Sequence, residues 1–310
     1  MIHRLCIVGL GLMGGAIGMA ARKVGAATRV LGVADHLATI EKARLLGAVD
    51  DATMDLREGV RDADLVILAL PVCMIPEVVQ AVLPMCREGT IITDTGSTKA
   101  AVVPAVEKLI AQFKAPVYFV GSHPIAGSAK SGIEAAGEVQ LVGAPCALTS
   151  TANTDGESYH RVDEFWKALG MKTLRLSPED HDAVLARSSH LPHLLAFALM
   201  GMQTERSLQL SGPGLCDMVR LAGSDVRMWT DIFTQNAAEV VHVLKEYIHD
   251  LQEIETVLEL LTRTGTPGAE SARERMFRVL ADARQRHDKR FAEESAPPAS
   301  HQSDPGTQVL

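Results

Sequence analysis

A glycine-rich turn near the N-terminus constrains the fold more than any other feature of this sequence. An apolar run at residues 5–8 predicts a short buried strand, and residues 16–24 predict a helix. Between them stands the pattern G-x-G-x-x-G, which allows a tight turn, a close backbone approach to a pyrophosphate and a helix N-terminus facing its charge. The turn therefore predicts a dinucleotide site; the plainer alternative is an ordinary strand-to-helix turn. The candidate contacts are Gly9, Gly11, Leu12, Met13 and Gly14.

Strands and helices alternate as far as residue 176, and only helices follow. Short apolar runs predict strands at residues 5–8, 30–33, 65–70, 90–93, 117–120, 145–149 and 172–176. We therefore predict an α/β Rossmann-type fold, with a doubly wound and largely parallel sheet, followed by an all-α domain. The expected boundaries are a dinucleotide-binding domain at 1–176, a helical domain at 177–291 and a tail of disordered composition at 292–310.

An acid after the second predicted strand bears on the choice of dinucleotide. Asp35 stands where a carboxylate binds the adenosine ribose hydroxyls and repels the extra phosphate of NADP. No arginine or lysine lies between Arg29 and Lys42 to accept that phosphate, so NAD is expected, with NADP as the alternative. Further contacts are expected from the ends of the next two strands, at Leu70, Pro71 and Thr95.

Polar side chains follow the predicted strand at residues 90–93. Ser97 and Lys99 stand where they could reach a nicotinamide or a substrate. Alternatively, Asp94 or Ser97 caps a helix predicted over residues 99–113, and the two roles are compatible.

A histidine follows the predicted strand at residues 117–120. His123 lies in a small, polar, glycine-punctuated stretch, and Pro124 limits its backbone freedom. It is the one side chain there that can change charge near neutral pH, which makes it a candidate proton acceptor. The alternative is a solvated histidine on a surface loop.

The helical half carries a second polar set. His190 and His193 share a helix face, and with His181 they suggest a metal site, but no carboxylate or cysteine stands beside them at ligand spacing. No metal is therefore expected. A buried Arg220 needs an anion, which a substrate carboxylate, Asp217 or Asp225 could provide.

Composition excludes several classes of partner. A net charge of −8 argues against nucleic acid or an anionic membrane, and the most apolar runs are too short to span a bilayer. Five scattered cysteines without a C-x-x-C pair suit a reducing compartment, and a strand at the very start leaves no room for a signal peptide. We expect a cytoplasmic protein that acts on a small molecule.

Five motifs, taken in order, resemble the prephenate/arogenate (cyclohexadienyl) dehydrogenase family of tyrosine biosynthesis. They are GLGLMG at residues 9–14, DTGSTK at 94–99, GSHPIAG at 121–127, SHLPH at 189–193 and DMVR at 217–220. The resemblance covers about residues 3–290. Two positions depart from it: many members that use NAD carry the acid at the position of Ala34, and several have an acid where Ala129 stands.

The resemblance implies an activity and a role for each site residue. The activity is the NAD(P)-dependent oxidative decarboxylation of prephenate or arogenate, which yields 4-hydroxyphenylpyruvate or tyrosine. His123 would hydrogen-bond the ring hydroxyl of the substrate, with Ser97 beside it, and the helical domain would bind substrate and form a homodimer. The remaining substrate contacts would be Ser189, His193 and Arg220, with Trp229 near the subunit boundary.

Two other functions are compatible with this organisation. One is a β-hydroxyacid or imine reductase with the same two-domain plan, which would place a lysine or aspartate against the nicotinamide. The other is a catalytically silent NAD-binding regulator, against which the presence of His123, Ser97 and Arg220 counts.

Overall fold

The computed structural model describes residues 2–127 and 130–295, and the chain divides into two compact units, Met1–Val243 and Leu244–Leu310. The first unit contains an eight-stranded sheet in the order β3-β2-β1-β4-β5-β6-β7-β8. Its strands are β1 Ile2–Val8, β2 Ala27–Val33, β3 Asp51–Thr53, β4 Leu65–Leu68, β5 Ile91–Asp94, β6 Tyr118–Pro124, β7 Pro145–Thr149 and β8 Lys172–Leu176. Every neighbouring pair is parallel except β6 and β7. The predicted doubly wound, largely parallel sheet is confirmed.

Helices cover both faces of this sheet, which explains the unbroken apolar runs of its central strands. In β4, Leu65 and Ile67 belong to one buried cluster, and Val66 and Leu68 belong to the other. A strand that is buried on both faces has apolar residues at every position, so polar and apolar residues do not alternate along it. The covering helices are α1 Leu12–Val24, α2 Leu37–Leu45, α3 Leu56–Val60, α4 Ile75–Val82, α5 Val102–Phe113 and α6 Gly156–Ala168.

The strand order reverses between β1 and β4, and this determines where a ligand can bind. Strands β1, β2, β4, β5 and β6 run parallel, so their carboxyl ends meet at one edge of the sheet. In open α/β sheets, ligands bind outside the carboxyl ends of the strands at such a switch point.

The chain beyond Leu176 is helical throughout the part that the structure describes, as predicted. A π-helical turn, Ala186–His190, joins α7 to α8. The helices are α7 Pro178–Leu185, α8 Leu191–Gly201, α9 Glu205–Gln209, α10 Pro213–Val219, α11 Val226–Gln235, α12 Ala237–Leu261 and α13 Pro267–Ser295. No described helix combines the length and the apolar character needed to cross a membrane.

Several predicted boundaries were wrong. Helix α5 begins at Val102 and its N-cap is Ala101, so neither Asp94 nor Ser97 caps it. Neither β3 nor α3 was predicted, because strands and helices of three to five residues are too short to show a clear hydrophobic periodicity. Helix α13 continues to Ser295, past the expected start of the tail, and later residues lie outside the described chain, as does Ala129.

His123 lies within a strand rather than in a loop. Strand β6 continues to Pro124 because its last residues pair antiparallel with β7, where His123 lies opposite Ala147. This pairing places the histidine at the edge of the sheet at which the glycine turn also lies.

Candidate active site

The glycine turn has a geometry that only glycine permits at two of its positions. Gly9 has a φ of +97°, and a Cβ there would lie 2.3 Å from the Ala69 carbonyl oxygen. A Cβ on Gly14 would lie 1.9 Å from the Gly9 carbonyl oxygen. At Gly11 no atom lies within 4 Å of the added Cβ, and Gly11 caps α1 without any side-chain hydrogen bond. The open surface and the uncapped N–H groups of α1 fit a bound pyrophosphate.

The other predicted dinucleotide contacts surround this turn. The Leu70 side chain reaches to 2.9 Å from a Cβ placed on Gly9, and Pro71 follows it on the surface. The Thr95 N–H donates to the Leu68 carbonyl oxygen at 3.1 Å, which fixes the end of β5 beside the end of β4. Leu12 and Met13 form the first turn of α1, and both are half-buried.

The carboxylate of Asp35 lies open to solvent after β2. Its side chain is 86% exposed, and one of its oxygens lies 3.6 Å from the His36 ring. The preceding residue, Ala34, is buried. Asp35 is therefore the residue at this strand end that could present a carboxylate to a ribose.

A buried ion pair shapes the loop after β5. Asp94 and Lys99 form this pair, and both side chains are inaccessible to solvent. Asp94 also accepts from the N–H groups of Gly96 at 2.9 Å and Ser122 at 3.0 Å, which ties β5 to β6. The prediction that Lys99 reaches cofactor or substrate is therefore wrong, because its charge is held in the core. Ser97 stays half-buried on the same loop.

His123 is buried and neutral, not a solvated loop histidine. The residue is 9% exposed, and its Nδ1 lies 2.9 Å from Nε2 of His181. Burial, and then the nearby His181 and Lys99, lower the pKa of His123 well below its usual range. None of the described residues hydrogen-bonds its second nitrogen, Nε2. This nitrogen remains available to a ligand.

Helix α7 supplies the residues behind His123. Nδ1 of His181 lies 2.7 Å from Oδ1 of Asp182. The same carboxylate accepts from the main-chain N–H groups of Lys99 at 2.8 Å and Ala100 at 2.9 Å. Asp182 therefore joins α7 to the loop after β5.

His190 completes this buried polar cluster. Nδ2 of Asn236 donates to the Asp182 carbonyl oxygen at 2.9 Å and lies 3.0 Å from Nδ1 of His190. Burial lowers the pKa of His190 to about 4, and the main chain of Ser97 lies beside its ring. Both ring nitrogens of His181 are therefore engaged by protein groups, Nδ1 by Asp182 and Nε2 by His123.

A second histidine site lies on α8 and α11. The His193 ring stacks on Trp229, with ring centroids 3.6 Å apart. Nδ1 of His193 donates a hydrogen bond to the main-chain carbonyl oxygen of Ser189 at 2.9 Å, and Ser189 is half-buried. Burial and the positive charge of Arg220 lower the pKa of His193, which places Arg220 near it. Arg220 is exposed, so the expectation of a buried guanidinium was wrong for the single chain.

Sequence reasoning missed the roles of Asp182 and Asn236 and considered His181 only as a metal ligand. The adjacent His181 and Asp182 in the first turns of a helix were the available signal. Their partner His123 is 58 residues away in the chain, and no local pattern could reveal it.

A glycine turn at the switch point of a doubly wound sheet, with a buried neutral histidine at the same edge, defines the class of dinucleotide-dependent oxidoreductases. The sequence matches two family models, "Prephenate dehydrogenase, nucleotide-binding domain" over residues 17–175 and "Prephenate dehydrogenase, dimerization domain" over residues 177–281. The chain belongs to the prephenate dehydrogenase family.

Individual relatives agree with this assignment. The cyclohexadienyl dehydrogenase of Zymomonas mobilis is 32% identical over 261 residues, which are 82% of this chain and 88% of the relative. A prephenate dehydrogenase of Aquifex aeolicus, solved with hydroxyphenyl propionate and NAD+, has a TM-score of 0.80 and 30% identity, over 93% of this chain and 98% of its own. A Synechocystis arogenate dehydrogenase has a TM-score of 0.74 and 28% identity, over 92% of this chain and 99% of its own.

Proposed function

We propose that this protein catalyses the NAD-dependent oxidative decarboxylation of prephenate, arogenate or both, in tyrosine biosynthesis. The observation that carries the proposal is the buried, neutral His123, with one ring nitrogen free at the sheet edge that holds the glycine turn. The relatives named for prephenate, arogenate and cyclohexadienyl substrates support this activity over a hydroxyacid or imine reductase and over a silent regulator.

The chemistry requires a proton acceptor beside a hydride acceptor. Bound NAD supplies the hydride acceptor. The substrate ring carries a hydroxyl and a carboxylate. As the hydroxyl-bearing carbon loses hydride, His123 accepts the hydroxyl proton, and the C–C bond to the carboxylate breaks. Carbon dioxide leaves, its bonding electrons make the ring aromatic, and His123 returns the proton to the phenol oxygen. Ser97, on the neighbouring strand end, completes the contacts to this hydroxyl.

The second histidine site suits the rest of the substrate. His193, fixed by its stacking on Trp229, and Arg220 nearby provide a hydrogen-bond donor and a cation for carboxylate groups, with Ser189 beside them. The exposure of Arg220 leaves its guanidinium free to move onto such a group.

Three further features belong to the proposal. The exposed Asp35 favours NAD over NADP. The match to a dimerization domain supports a homodimer. The five cysteines are all free thiols, which suits a reducing cytoplasm.

The direct test is to incubate the protein with prephenate or arogenate and NAD or NADP, and to follow absorbance of the reduced nicotinamide. Formation of NADH with release of one carbon dioxide per turnover is the expected result. Oxidation of a β-hydroxyacid instead, or no turnover with any of these substrates, would overturn the proposal.

A further inference from the structure

We infer that His181 and Asp182 are positioning residues that hold His123 in the tautomer with its proton on Nδ1 and its lone pair on Nε2. This inference rests on the proposed function in one respect only: the substrate hydroxyl is the group whose proton that lone pair would accept. It follows from the directions of three consecutive hydrogen bonds.

The first direction is set by Asp182. Its two carboxylate oxygens accept from the main-chain N–H groups of Lys99 and Ala100, and its side chain is almost fully buried. An ionised carboxylate has no proton to donate. The 2.7 Å contact between Asp182 Oδ1 and His181 Nδ1 therefore needs its proton on the His181 nitrogen.

The second direction follows within the His181 ring. Burial is the largest influence on its pKa, which lies below the usual value. A neutral imidazole carries a single proton, and Nδ1 already has it, so Nε2 of His181 is an acceptor.

The third direction concerns His123. Its Nδ1 lies 2.9 Å from the His181 acceptor, so this bond needs a proton on Nδ1 of His123. Since His123 is neutral as well, its Nε2 is left with a lone pair. The opposite tautomer would present an N–H at Nε2 and could not accept a hydroxyl proton.

The surrounding charges fit a neutral His123 before turnover. His181, Lys99 and His190 all disfavour a cation on His123. On His181, the carboxylates of Asp182 and Asp94 favour positive charge and Lys99 disfavours it.

Nitrogen NMR on the full-length protein with NAD tests the tautomer directly. With [15N]histidine, two-bond correlations distinguish protonated from unprotonated ring nitrogens, and the His123→Asn and His181→Gln variants assign the signals. We expect both His123 and His181 to be protonated at Nδ1 only. Protonation of His123 at Nε2 would overturn the inference.

Paired variants test the role in turnover. His181→Leu removes the acceptor and should lower kcat roughly 10- to 100-fold while the KM for NAD is unchanged. His181→Gln places an amide oxygen where Nε2 was, and should restore most of kcat and keep the Nδ1–H tautomer of His123. Equal losses in the two variants would show a packing role and overturn the inference. The proposed function fails separately if His123→Asn retains full activity, because the tautomer measurement needs no substrate.

Discussion

Burial decides what His123 can do. In water its imidazole would be partly protonated near pH 6.5, but enclosure between β7 and α7 keeps it neutral at physiological pH. A neutral ring with one engaged nitrogen is a proton acceptor of fixed orientation.

We predict that His123→Asn lowers kcat by roughly two to four orders of magnitude and changes substrate KM little, because the amide cannot take up a proton. Steady-state kinetics with each dienyl substrate measure this. A raised KM with intact kcat would assign the residue to binding alone.

Asp35 is the residue that we expect to determine the choice between NAD and NADP. Replacing it by serine, together with His36→Arg, should shift the ratio of kcat/KM values toward NADP, since a repelling carboxylate is exchanged for a cation beside the 2′-phosphate. The single variant Arg57→Lys, on α3, conserves charge and serves as a control. Wild-type protein with no preference between the cofactors would contradict the role given to Asp35.

Motifs predicted that Ser97 and His123 lie near the ends of β5 and β6, and the roles of both residues stay predictions. They failed for Lys99, because its buried partner is a property of the folded loop rather than of residue spacing. They also predicted a buried Arg220, whereas this residue is exposed in the single chain.

The glycine turn separates stability from cofactor binding within one element. Gly14→Ala should lower the melting temperature, because its Cβ would lie 1.9 Å from a carbonyl oxygen. Gly11→Ala meets no protein atom and should leave the melting temperature unchanged. It should weaken NAD binding, because the added methyl group would stand on the open surface that we propose for the pyrophosphate. Thermal unfolding and NAD titration distinguish these effects.

Gly137→Ala, also in open space, is the matched control and should change neither quantity. Normal NAD affinity in Gly11→Ala would place the pyrophosphate elsewhere.

The segment from α7 to α8 makes stability depend on pH. His190 has a folded-state pKa of about 4, against an ordinary value of 6.5. Above pH 6.5 neither state binds the proton, so the full stability is present. Between pH 6.5 and 4 the unfolded state binds it more readily, and the free energy of unfolding falls, by roughly 3 kcal/mol for this group at the lower limit.

Urea unfolding at pH 7 and pH 5 measures this loss. His190→Asn should show a smaller difference between the two pH values, with the remainder due to His123 and His181. An unchanged difference would mean that His190 is already protonated in the folded protein.

At the scale of the molecule, alternation of apolar runs was enough to predict the sheet and the helical region after Leu176. The antiparallel pairing of β7 with β6 was not predictable, because hydrophobic periodicity shows which residues are buried but not the direction in which a strand runs. This antiparallel pairing extends β6 to Pro124 and thereby determines the position of His123.

Assembly is a property of the whole molecule that the second unit allows us to test. Phe277 and Leu280 on α13 are 72% and 62% exposed, and both lie within the match to the dimerization domain. Phe277→Asp with Leu280→Asp should convert a homodimer to monomer in sedimentation equilibrium. Leu45→Asp, at an 86% exposed position of α2, should leave the dimer intact. Dimers that persist in the double variant would place the interface elsewhere.

The buried pair of Asp94 and Lys99 restricts the evolutionary paths open to this family member. Loss of either partner alone leaves an uncompensated charge in the core, at a cost of about 3–5 kcal/mol, which is a large part of the stability of most domains. A lineage can therefore exchange the pair for neutral residues only through a second, nearly simultaneous change. An amide at position 94 is the accessible replacement, since its oxygen can still accept a main-chain N–H of Gly96 or Ser122. The two positions should drift together among descendants of this sequence, even though neither side chain reaches the substrate.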